Sequence, residues 1–502
     1  MKKFIIILTL SFLTPFFIKA QDLADALRYS SFQVQGTARA GGMGNAFGAL
    51  GGDFTSVSIN PAGLGLYRSS EFVFTPAFNK NDIETTYRGS LMTDSKYNFS
   101  FNNLSYVSAL TPRNQGETGL VNINIGLGYN RLKDFNSTMM AGAANMNGSF
   151  LDYVADNANL NDWSEFYEDL AWDADLLLLG DDGLYFHDLK DPNDPSDLGY
   201  GQSLRKSISR QGAINEYSLG AGFNFNHKLY LGASIGIVDV YYRESSQLRE
   251  WDAQNNIPFF DEMQFNSFLR TSGTGYNGKL GLIFKPINEI RLGASIHTPT
   301  FYNLHDVFET SLSSWVTYED GSDDYKVYSP YSEYDYDLET PLRANFSGAF
   351  VIGKAGLISV DYEYVDYGSA TLRRGGDGYN FVDENSEIAQ IFKPVGNIRV
   401  GGELLATSNL SLRAGYEYYP SPYNSEAFGA VQPNADANRI TYSGGLGYRS
   451  GGFFFDIAYR YSFMKDYDLL YPAPATDYYA PSEMAAFNNV KNKVMFTLGF
   501  KF

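Results

Sequence analysis

Apolar residues recur at every second position along most of the chain. Val121, Ile123 and Ile125 alternate with asparagine and glycine, and near the carboxyl end Phe496 and Leu498 alternate with small or polar residues. A period of two places alternate side chains on opposite faces of a β-strand. The sequence therefore predicts an all-β chain built from amphipathic strands.

The number and spacing of these strands favour a transmembrane barrel. About fourteen strands are predicted, each close to the roughly ten residues that a tilted bilayer-spanning strand requires. Long acidic loops, the longest over about 134–211, alternate with short turns at 227–228, 286–289, 353–356, 407–409 and 450–452. This asymmetry is typical of outer-membrane barrels. A soluble β-sandwich also alternates, but it does not require large apolar residues opposite glycine, serine and asparagine on nearly every strand.

A predicted export signal and the amino-acid composition further limit the class of protein to which the chain can belong. Residues 1–20 carry two lysines, an apolar stretch, and Ile18 and Ala20 ahead of Gln21, which is the pattern of a secretory signal peptide. The chain has no cysteine and a net charge of -19, so disulfides and a nucleic-acid partner are not expected. Beyond residue 20 no apolar run is long enough for a transmembrane helix. We therefore expect a barrel in the bacterial outer membrane, surrounded by lipid.

The exported segment before the first predicted strand lacks sustained alternation. Residues 21–68 contain a glycine-rich run that permits tight turns and close packing against a wall. A barrel of about fourteen strands encloses more space than side chains fill. We predict that residues 21–68 form a plug inside a barrel of residues 69–502. A rigid turn is predicted to end the plug at Asn60, Pro61, Ala62 and Gly63, because Pro61 fixes φ and Gly63 tolerates a positive φ.

The plug sequence is similar to a known family. The run GTARAGGMGNAFGALGGDFTSVSINPAGL resembles the N-terminal hatch of the FadL family of outer-membrane transporters for hydrophobic compounds. Asn60, Pro61 and Ala62 match the family's NPA motif, and the glycine-rich lead-in matches at positions that include Arg39, Gly42, Met43, Gly44 and Phe47. Farther on, RLGASIHTPT, PLRANFSGAF, SVDYEYVDYG and RAGYEYYPSP look like family strand signatures.

The resemblance implies a fold and a function. It implies a fourteen-stranded barrel, closed by its hatch, that takes up a lipophilic ligand, typically a long-chain fatty acid or an aromatic hydrocarbon. It also implies release through a side opening made by a kinked strand. The alternative is an interaction partner in protein secretion to the cell surface, a role that some relatives have. A plain diffusion porin is disfavoured by the predicted plug.

An amphipathic helix is predicted in the longest loop. In DWSEFYEDLAWDADLLLL, apolar residues recur at three- and four-residue spacing, and Asp162 with Glu165 resembles a capping box. The stripe either packs onto the barrel rim or captures ligand at the outer mouth. The candidate catchment residues are Trp163, Phe166, Tyr167 and Leu170.

Charged residues occupy the strand parity opposite the apolar one and should face the lumen. They include Arg343, Arg399, Arg413, Glu363 and Glu403. Unpaired charge is costly in a confined space, so we expect ion-pair ladders that also engage Arg39 and Asp53 of the plug. An arginine of this set is the alternative partner for a ligand carboxylate.

Metal and catalytic sites are not predicted. Asp181, Asp182, Asp188, Asp191 and Asp194 form an acidic run whose spacing fits no EF-hand, so a solvated loop is expected rather than a calcium site. Ser295 and His297 share a luminal parity, but nothing in the sequence orients them as a nucleophile and its base. We expect a protein that is not an enzyme and that binds no cofactor.

Overall fold

The computed structural model describes residues 23–110, 119–190, 200–319, 321–476, 479 and 482–502. The predicted signal peptide therefore lies outside the described residues, as do Asp191 and Asp194 of the acidic run. Among the described helices, none is both long enough and apolar enough to cross a membrane.

Fourteen antiparallel strands form the wall of a closed barrel, as the alternation predicts. The first seven are β1 Glu71–Tyr87, β2 Ser90–Leu110, β3 Leu120–Asp134 continued by Ser137–Ala143, β4 Ser203–Phe225, β5 Leu229–Trp251, β6 Phe259–Phe284, and β7 Ile290–His297 continued by Phe301–Tyr318. The others are β8 (Gly321–Tyr328, Ser332–Glu339 and Arg343–Ile352), β9 Gly356–Asp366 continued by Thr371–Arg373, β10 Pro394–Leu405, β11 Leu410–Tyr419, β12 Arg439–Ser450, β13 Phe453–Leu469 and β14 Met484–Lys501.

The first and last strands close the ring. β1 pairs with β14 from Glu71 opposite Lys501 to Thr86 opposite Ala486, so neither strand is left as an edge of the sheet. Closure is required in a bilayer, because lipid offers no hydrogen-bond partners to an open strand. The five predicted short turns all lie at the end of the barrel where β14 ends, which is the periplasmic end.

The two faces of each strand divide as the parity predicts. On the outer face Ile235 and Leu280 are both 61% exposed, whereas the luminal Asp361 and Glu417 are fully buried. Apolar side chains outside and polar side chains inside identify the outer face as the one in contact with lipid.

Several strands continue farther than predicted. The longest loop spans 144–202 rather than about 134–211, because Ser137–Ala143 extends β3 and pairs with the start of β4. β4, β5 and β6 run for 23, 23 and 26 residues, so this side of the barrel rises well above the membrane.

In the described residues, five α-helices and three 3-10 helices complete the fold. The helices are α1 Leu23–Ser30, α2 Ala38–Gly42, α3 Phe150–Asn159, α4 Glu168–Asp173 and α5 Val382–Ile391, and the 3-10 helices are Phe54–Ser58, Pro61–Leu66 and Tyr367–Ser369. Two-residue ladders join Leu178–Leu179 to Tyr185–Phe186 and Glu426–Ala427 to Ala430–Val431.

Two large apolar clusters position the functional regions. One packs α3 and α4 against the outer ends of the wall strands, forming an extracellular cap over the lumen. The other surrounds the plug, where Ala26 and Tyr29 of α1, with Met43 and Phe47 beyond α2, are all fully buried. The described residues from Leu23 to Tyr67 thus lie inside the bore.

Candidate functional site

Glycines on the luminal face allow the plug backbone to lie directly against the wall. A Cβ atom at Gly401 would lie 2.2 Å from the Met43 carbonyl oxygen, and one at Gly281 would lie 1.9 Å from Asn60 Oδ1. Real Cβ atoms do not approach so closely, so only glycine fits. Comparable overlaps with plug backbone arise at Gly222, Gly232, Gly293 and Gly415.

Asn60 anchors the end of the plug to the wall. Its Oδ1 accepts a hydrogen bond from the Ala62 amide (3.1 Å), and its Nδ2 donates to the carbonyls of Gly48 (2.7 Å) and Leu282 on β6 (3.1 Å). Asn60 thus caps the 3-10 helix Pro61–Leu66, in which Pro61 occupies the first turn.

Gly63 does not use the positive φ that glycine tolerates, since it is not among the left-handed residues in the described part of the chain. Its small size matters instead, because a Cβ atom there would lie 2.5 Å from Ser56 Oγ. The glycine therefore serves the close packing of the two 3-10 helices of the plug.

The lead-in residues lie around α2, deep in the bore. Gly44 has a φ of 60° and packs against the backbone of β10 and β11. The Arg39 guanidinium lies over the Phe47 ring at 5.3 Å and forms a bidentate pair with Glu403 on β10, at 3.0 Å for both bonds. The plug is thereby held to the wall by an ion pair as well as by packing.

The predicted luminal charges fall into two ion-pair groups. Glu403 also pairs with Arg413 (2.6 Å), whose other side binds Asp456 (2.5 Å). In the second group, Glu363 lies 2.9 Å from Arg343 and 3.6 Å from Arg399. Asp53 takes no part in these ladders, because its carboxylate accepts hydrogen bonds from Thr37 Oγ1 and the Thr55 amide within the plug.

Ser295 and His297 both bind the plug rather than each other. Ser295 Oγ donates to the Ile59 carbonyl at 2.7 Å, and His297 Nε2 lies 2.8 Å from the same oxygen. Among the described acidic loop residues, Asp182 accepts from the Leu184 amide in a local turn. The described part of the chain contains no group of three or more histidine, aspartate or glutamate side chains that is arranged to hold a metal ion.

The predicted loop helix is shorter than expected. α4 begins at Glu168, and the capping box predicted at Asp162 and Glu165 is wrong, because these residues precede the helix. A capping box occurs instead at α3, where Ser149 and Asp152 exchange hydrogen bonds. Helix formation is thus limited to the segments that pack onto the cap core.

The catchment candidates are divided between the surface and the interior. Trp163 is 40% exposed, whereas Leu170 is buried in the cap core. Phe166 lies 5.4 Å from Phe308 of β7, and Tyr167 stacks on Phe265 of β6 at 5.6 Å.

Beneath the cap lies an upper cavity of about 230 Å³ with α1 as its floor. Its apolar lining includes Phe150, Tyr167, Phe265, Phe308 and Leu470, and its charged lining includes Asp25, Arg28, Lys206 and Glu244. Aromatic rings and a small set of charges suit a hydrophobic ligand with one polar group.

Glu168 makes the cap sensitive to pH. Burial raises the pKa of this carboxyl from 4.5 to about 7, even though the Ser164 amide and Asn157 Nδ2 donate to it. The folded cap therefore binds the proton more tightly than the unfolded cap, and this stabilisation is complete below pH 4.5 and is lost as the pH rises through about 7. We expect limited proteolysis of the cap to become about tenfold faster between about pH 5 and pH 8.

The Glu168→Gln variant should remove the part of this pH dependence that comes from Glu168, because the amide does not titrate. The buried Glu250, which lies at the outer end of β5 and caps α3, retains its own contribution, since burial also raises its pKa to about 7. The exposed Glu165→Gln variant is the matched control and should behave as the wild type. A Glu168→Gln cap that keeps the full dependence contradicts the assignment.

The wall separates between β2 and β3. The two strands pair from Leu110 opposite Ile123 to Asn103 opposite Asn130, and no further ladder joins them in the described residues. Each strand has a β-bulge where the pairing ends, at Asn102 on β2 and at Leu132 on β3. Bulges bend strands and increase their twist. Above this point Ser137–Ala143 lies close to β2 but forms no ladder with it in the described residues.

The plug closes this gap from inside. The Gln33 amide donates to the Leu132 carbonyl (3.0 Å) and the Gln35 amide to the Arg131 carbonyl (2.8 Å), which gives β3 a substitute partner. Across the gap, Asn98 Nδ2 donates to Asp134 Oδ2 at 3.0 Å. The seal is therefore two backbone bonds and one side-chain bond rather than a strand ladder.

A basic cavity of about 110 Å³ lies directly behind the gap, between the plug and β12–β14. Its charged lining comprises one acid, Asp134, and six bases, Lys80, Lys133, Arg439, Arg460, Lys491 and Lys493. In the described part of the chain, no carboxylate lies within 4 Å of Lys491 or Arg439. The cavity thus concentrates positive charge inside a strongly acidic protein.

Neither this basic cavity nor the plug residues beside it were predicted from the sequence. The sequence does contain an indication of the cavity. Lys491 and Lys493 are two residues apart on β14, at positions whose side chains face the lumen. Gln33 and Gln35 gave none, since their role depends on which strand edge is left unpaired.

The comparisons with known proteins agree with this architecture. A structure described as a Pseudomonas aeruginosa FadL homologue matches with a TM-score of 0.57 and 14% identity, covering 94% of this chain and 99% of the other. The Pseudomonas putida toluene transporter TodX matches with a TM-score of 0.50 and 14% identity, with coverage of 94% and 99%. At this identity the two structures are evidence for the fold alone. No curated protein matches the chain.

A family model provides the assignment. The model described as outer membrane protein transport protein (OMPP1/FadL/TodX) matches residues 209–501, which is more than half of the chain. The matched region runs from β4 to β14, and the fold and the plug seen here are those expected from the sequence. The chain therefore belongs to the OMPP1/FadL/TodX family of outer-membrane transport proteins.

Proposed function

We propose that the protein is a passive channel for hydrophobic small molecules that carry an anionic head group, such as long-chain fatty acids. Ligand enters the upper cavity beneath the cap, passes α1 and reaches the basic cavity. It leaves sideways into the membrane between β2 and β3 when the plug segment around Gln33 and Gln35 moves away from β3.

The energetics fit such a ligand. Burial of each methylene group contributes about 0.8 kcal/mol, so an acyl chain gains affinity from the aromatic upper cavity without specific polar contacts. A carboxylate gains charge-assisted hydrogen bonds from ammonium and guanidinium groups, which are roughly twice as strong as neutral ones. The apolar lining and the basic lining thus select the two ends of one molecule.

The observation that carries the proposal is the excess of basic over acidic residues beside the gap. Two of the six bases, Lys80 and Arg460, pair with carboxylates outside the cavity, whereas the other four have no carboxylate within 4 Å in the described residues. Most luminal charges elsewhere are paired, as in the ladders around Glu403 and Glu363. An unbalanced cluster at the exit of an enclosed path is a site where an anion would be stabilised.

The test replaces two of these cations. In the Lys491→Gln/Lys493→Gln variant, we expect the Kd for oleate to rise at least tenfold while the Kd for toluene changes less than twofold, because a neutral hydrocarbon gains nothing from the cations. Binding is measured by titration of purified protein in detergent. The exposed Lys326→Gln variant on β8 is the control and should bind both ligands as the wild type does.

Two results contradict the proposal. Equal loss of oleate and toluene indicates a general packing defect, and unchanged oleate affinity indicates that the cations do not contact the ligand. A channel for neutral aromatics, the activity named for the Pseudomonas putida toluene transporter, predicts tight toluene binding in all variants. A role in protein secretion predicts instead co-purification with secretion components and unaltered fatty-acid uptake in a deletion strain.

A further inference from the structure

The outer face of β4–β7 carries a polar surface above the lipid-facing belt. The belt ends at a row of exposed apolar side chains on neighbouring strands, formed by Tyr217, Ile237, Tyr276 and Phe301. Tyrosine at this level is typical of the membrane interface. Residues farther along the same outward parity therefore face the head-group region and the space above it.

Two unpaired arginines lie directly opposite each other on this surface. Arg243 of β5 pairs in register with Arg270 of β6, six residues beyond Ile237 and Tyr276 respectively. Among the described residues no carboxylate lies within 4 Å of either guanidinium; Arg243 instead lies over the Phe268 ring at 5.0 Å. Like charges directly opposite on adjacent strands destabilise a sheet, so an anion from outside the chain would stabilise this pair.

A groove of about 710 Å³ begins immediately beyond the arginines. Phe268 and Glu309 lie opposite each other in its first row, and Asn266 and Ser311 in its second. Asn266 Nδ2 donates to Ser311 Oγ (3.3 Å), and Asn266 Oδ1 accepts from Gln247 Nε2 (3.2 Å). Hydroxyls and amides that both donate and accept, next to aromatic rings, match the hydroxyl groups and apolar faces of sugar rings.

The position of the groove indicates the source of the ligand. Ser245 in its first row is eight residues beyond Ile237 on β5. At about 3.3 Å per residue and a tilt near 40°, this places the groove roughly 20 Å above the membrane interface. That is the region occupied by the saccharide of glycolipids in the outer leaflet of the outer membrane.

We propose that this outer groove binds the phosphorylated saccharide head group of an outer-leaflet glycolipid, with Arg243 and Arg270 on a phosphate. The acyl chains of the same molecule lie against the apolar belt below. This second ligand site is on the outside of the wall and is independent of the transport path through the lumen.

The experiment measures glycolipid retained by purified protein in detergent, by native mass spectrometry, after addition of rough-type lipopolysaccharide. We expect the Arg243→Gln/Arg270→Gln variant to retain at least tenfold less than the wild type. The control is Arg373→Gln/Arg374→Gln, which removes the same charge from the outer surface but at arginines facing Glu339 and Asp337. It should retain lipopolysaccharide as the wild type does.

Further arms identify the chemistry. Dephosphorylated lipopolysaccharide should bind the wild type as weakly as intact lipopolysaccharide binds the double variant, and Ser245→Trp, which fills the groove, should also reduce retention. The proposal is overturned if the two double variants behave alike. It is also overturned if phosphatidylglycerol or free inorganic phosphate competes as well as lipopolysaccharide does.

Discussion

Replacement of Gly401 by valine will displace the plug and convert a closed barrel into an ion-conducting pore. A Cβ atom at Gly401 meets the carbonyl oxygen and carbon of Met43 at 2.2 and 3.0 Å, and this backbone has no rotamer through which to move away. Overpacking of this kind costs about 1–3 kcal/mol, and here it acts on the seal itself. We expect single-channel conductance in a planar bilayer to rise at least tenfold over the wild type.

The neighbouring residue provides a matched control. Gly402 faces the opposite side of β10, where a Cβ atom would have only the Leu357 carbonyl near it, at 3.7 Å. Gly402→Val adds the same side chain to the same strand and should leave the conductance low. If Gly401→Val also leaves the conductance low, and its plug is no more sensitive to protease than that of the wild type, the plug does not depend on glycine at this contact.

Covalent closure of the gap between β2 and β3 will abolish ligand transfer. The chain lacks cysteine, so an Asn98→Cys/Asp134→Cys variant carries only the two introduced thiols. These positions now share a 3.0 Å hydrogen bond across the gap, within reach of a short bifunctional thiol reagent. We expect oleate uptake by cells or proteoliposomes to fall at least tenfold on crosslinking and to recover when a reducible crosslink is cleaved.

The control crosslinks a sealed part of the wall with the same residue types. Asn303 and Asp337 are hydrogen-bonded at 3.1 Å between β7 and β8, which are already joined by a ladder there. Crosslinked Asn303→Cys/Asp337→Cys should transport normally. Full uptake with the gap closed would place the exit elsewhere, for example past the plug at the periplasmic end.

The alternation of apolar and polar residues predicted most of the fold. A strand with lipid on one side and a polar lumen on the other can face only one way, because its apolar side chains must point into the lipid. The same alternation placed glycines on the luminal face of the strands. The presence of a plug was predicted because a bore of this size is too wide for side chains to fill. The helix α4 was misjudged because its apolar spacing continues into segments that pack on the cap without being helical.

The proposed exit between β2 and β3 was harder to predict from the sequence, because it depends on where the two strands stop pairing and not on which residues they contain. A sign of it exists in the sequence, since the apolar parity of β2 changes from Phe99 and Phe101 to Leu104 and Tyr106 across the bulge. Such a change identifies a bulge, but it does not show that the neighbouring strand departs at the same level. The basic cavity likewise gathers residues from β3, β12, β13 and β14, which are far apart in the chain.

The contacts of the plug also constrain the order of assembly. Its residues bind β6 through Asn60, β10 through Arg39 and β14 through Ala38, whose amide donates to Thr497. β14 must also form its hydrogen-bonded ladder with β1 to close the barrel. The plug, which precedes β1 in the chain, is thus secured in part by β14, the strand that closes the ring, so a barrel without β14 in place has neither a closed wall nor a fully anchored plug.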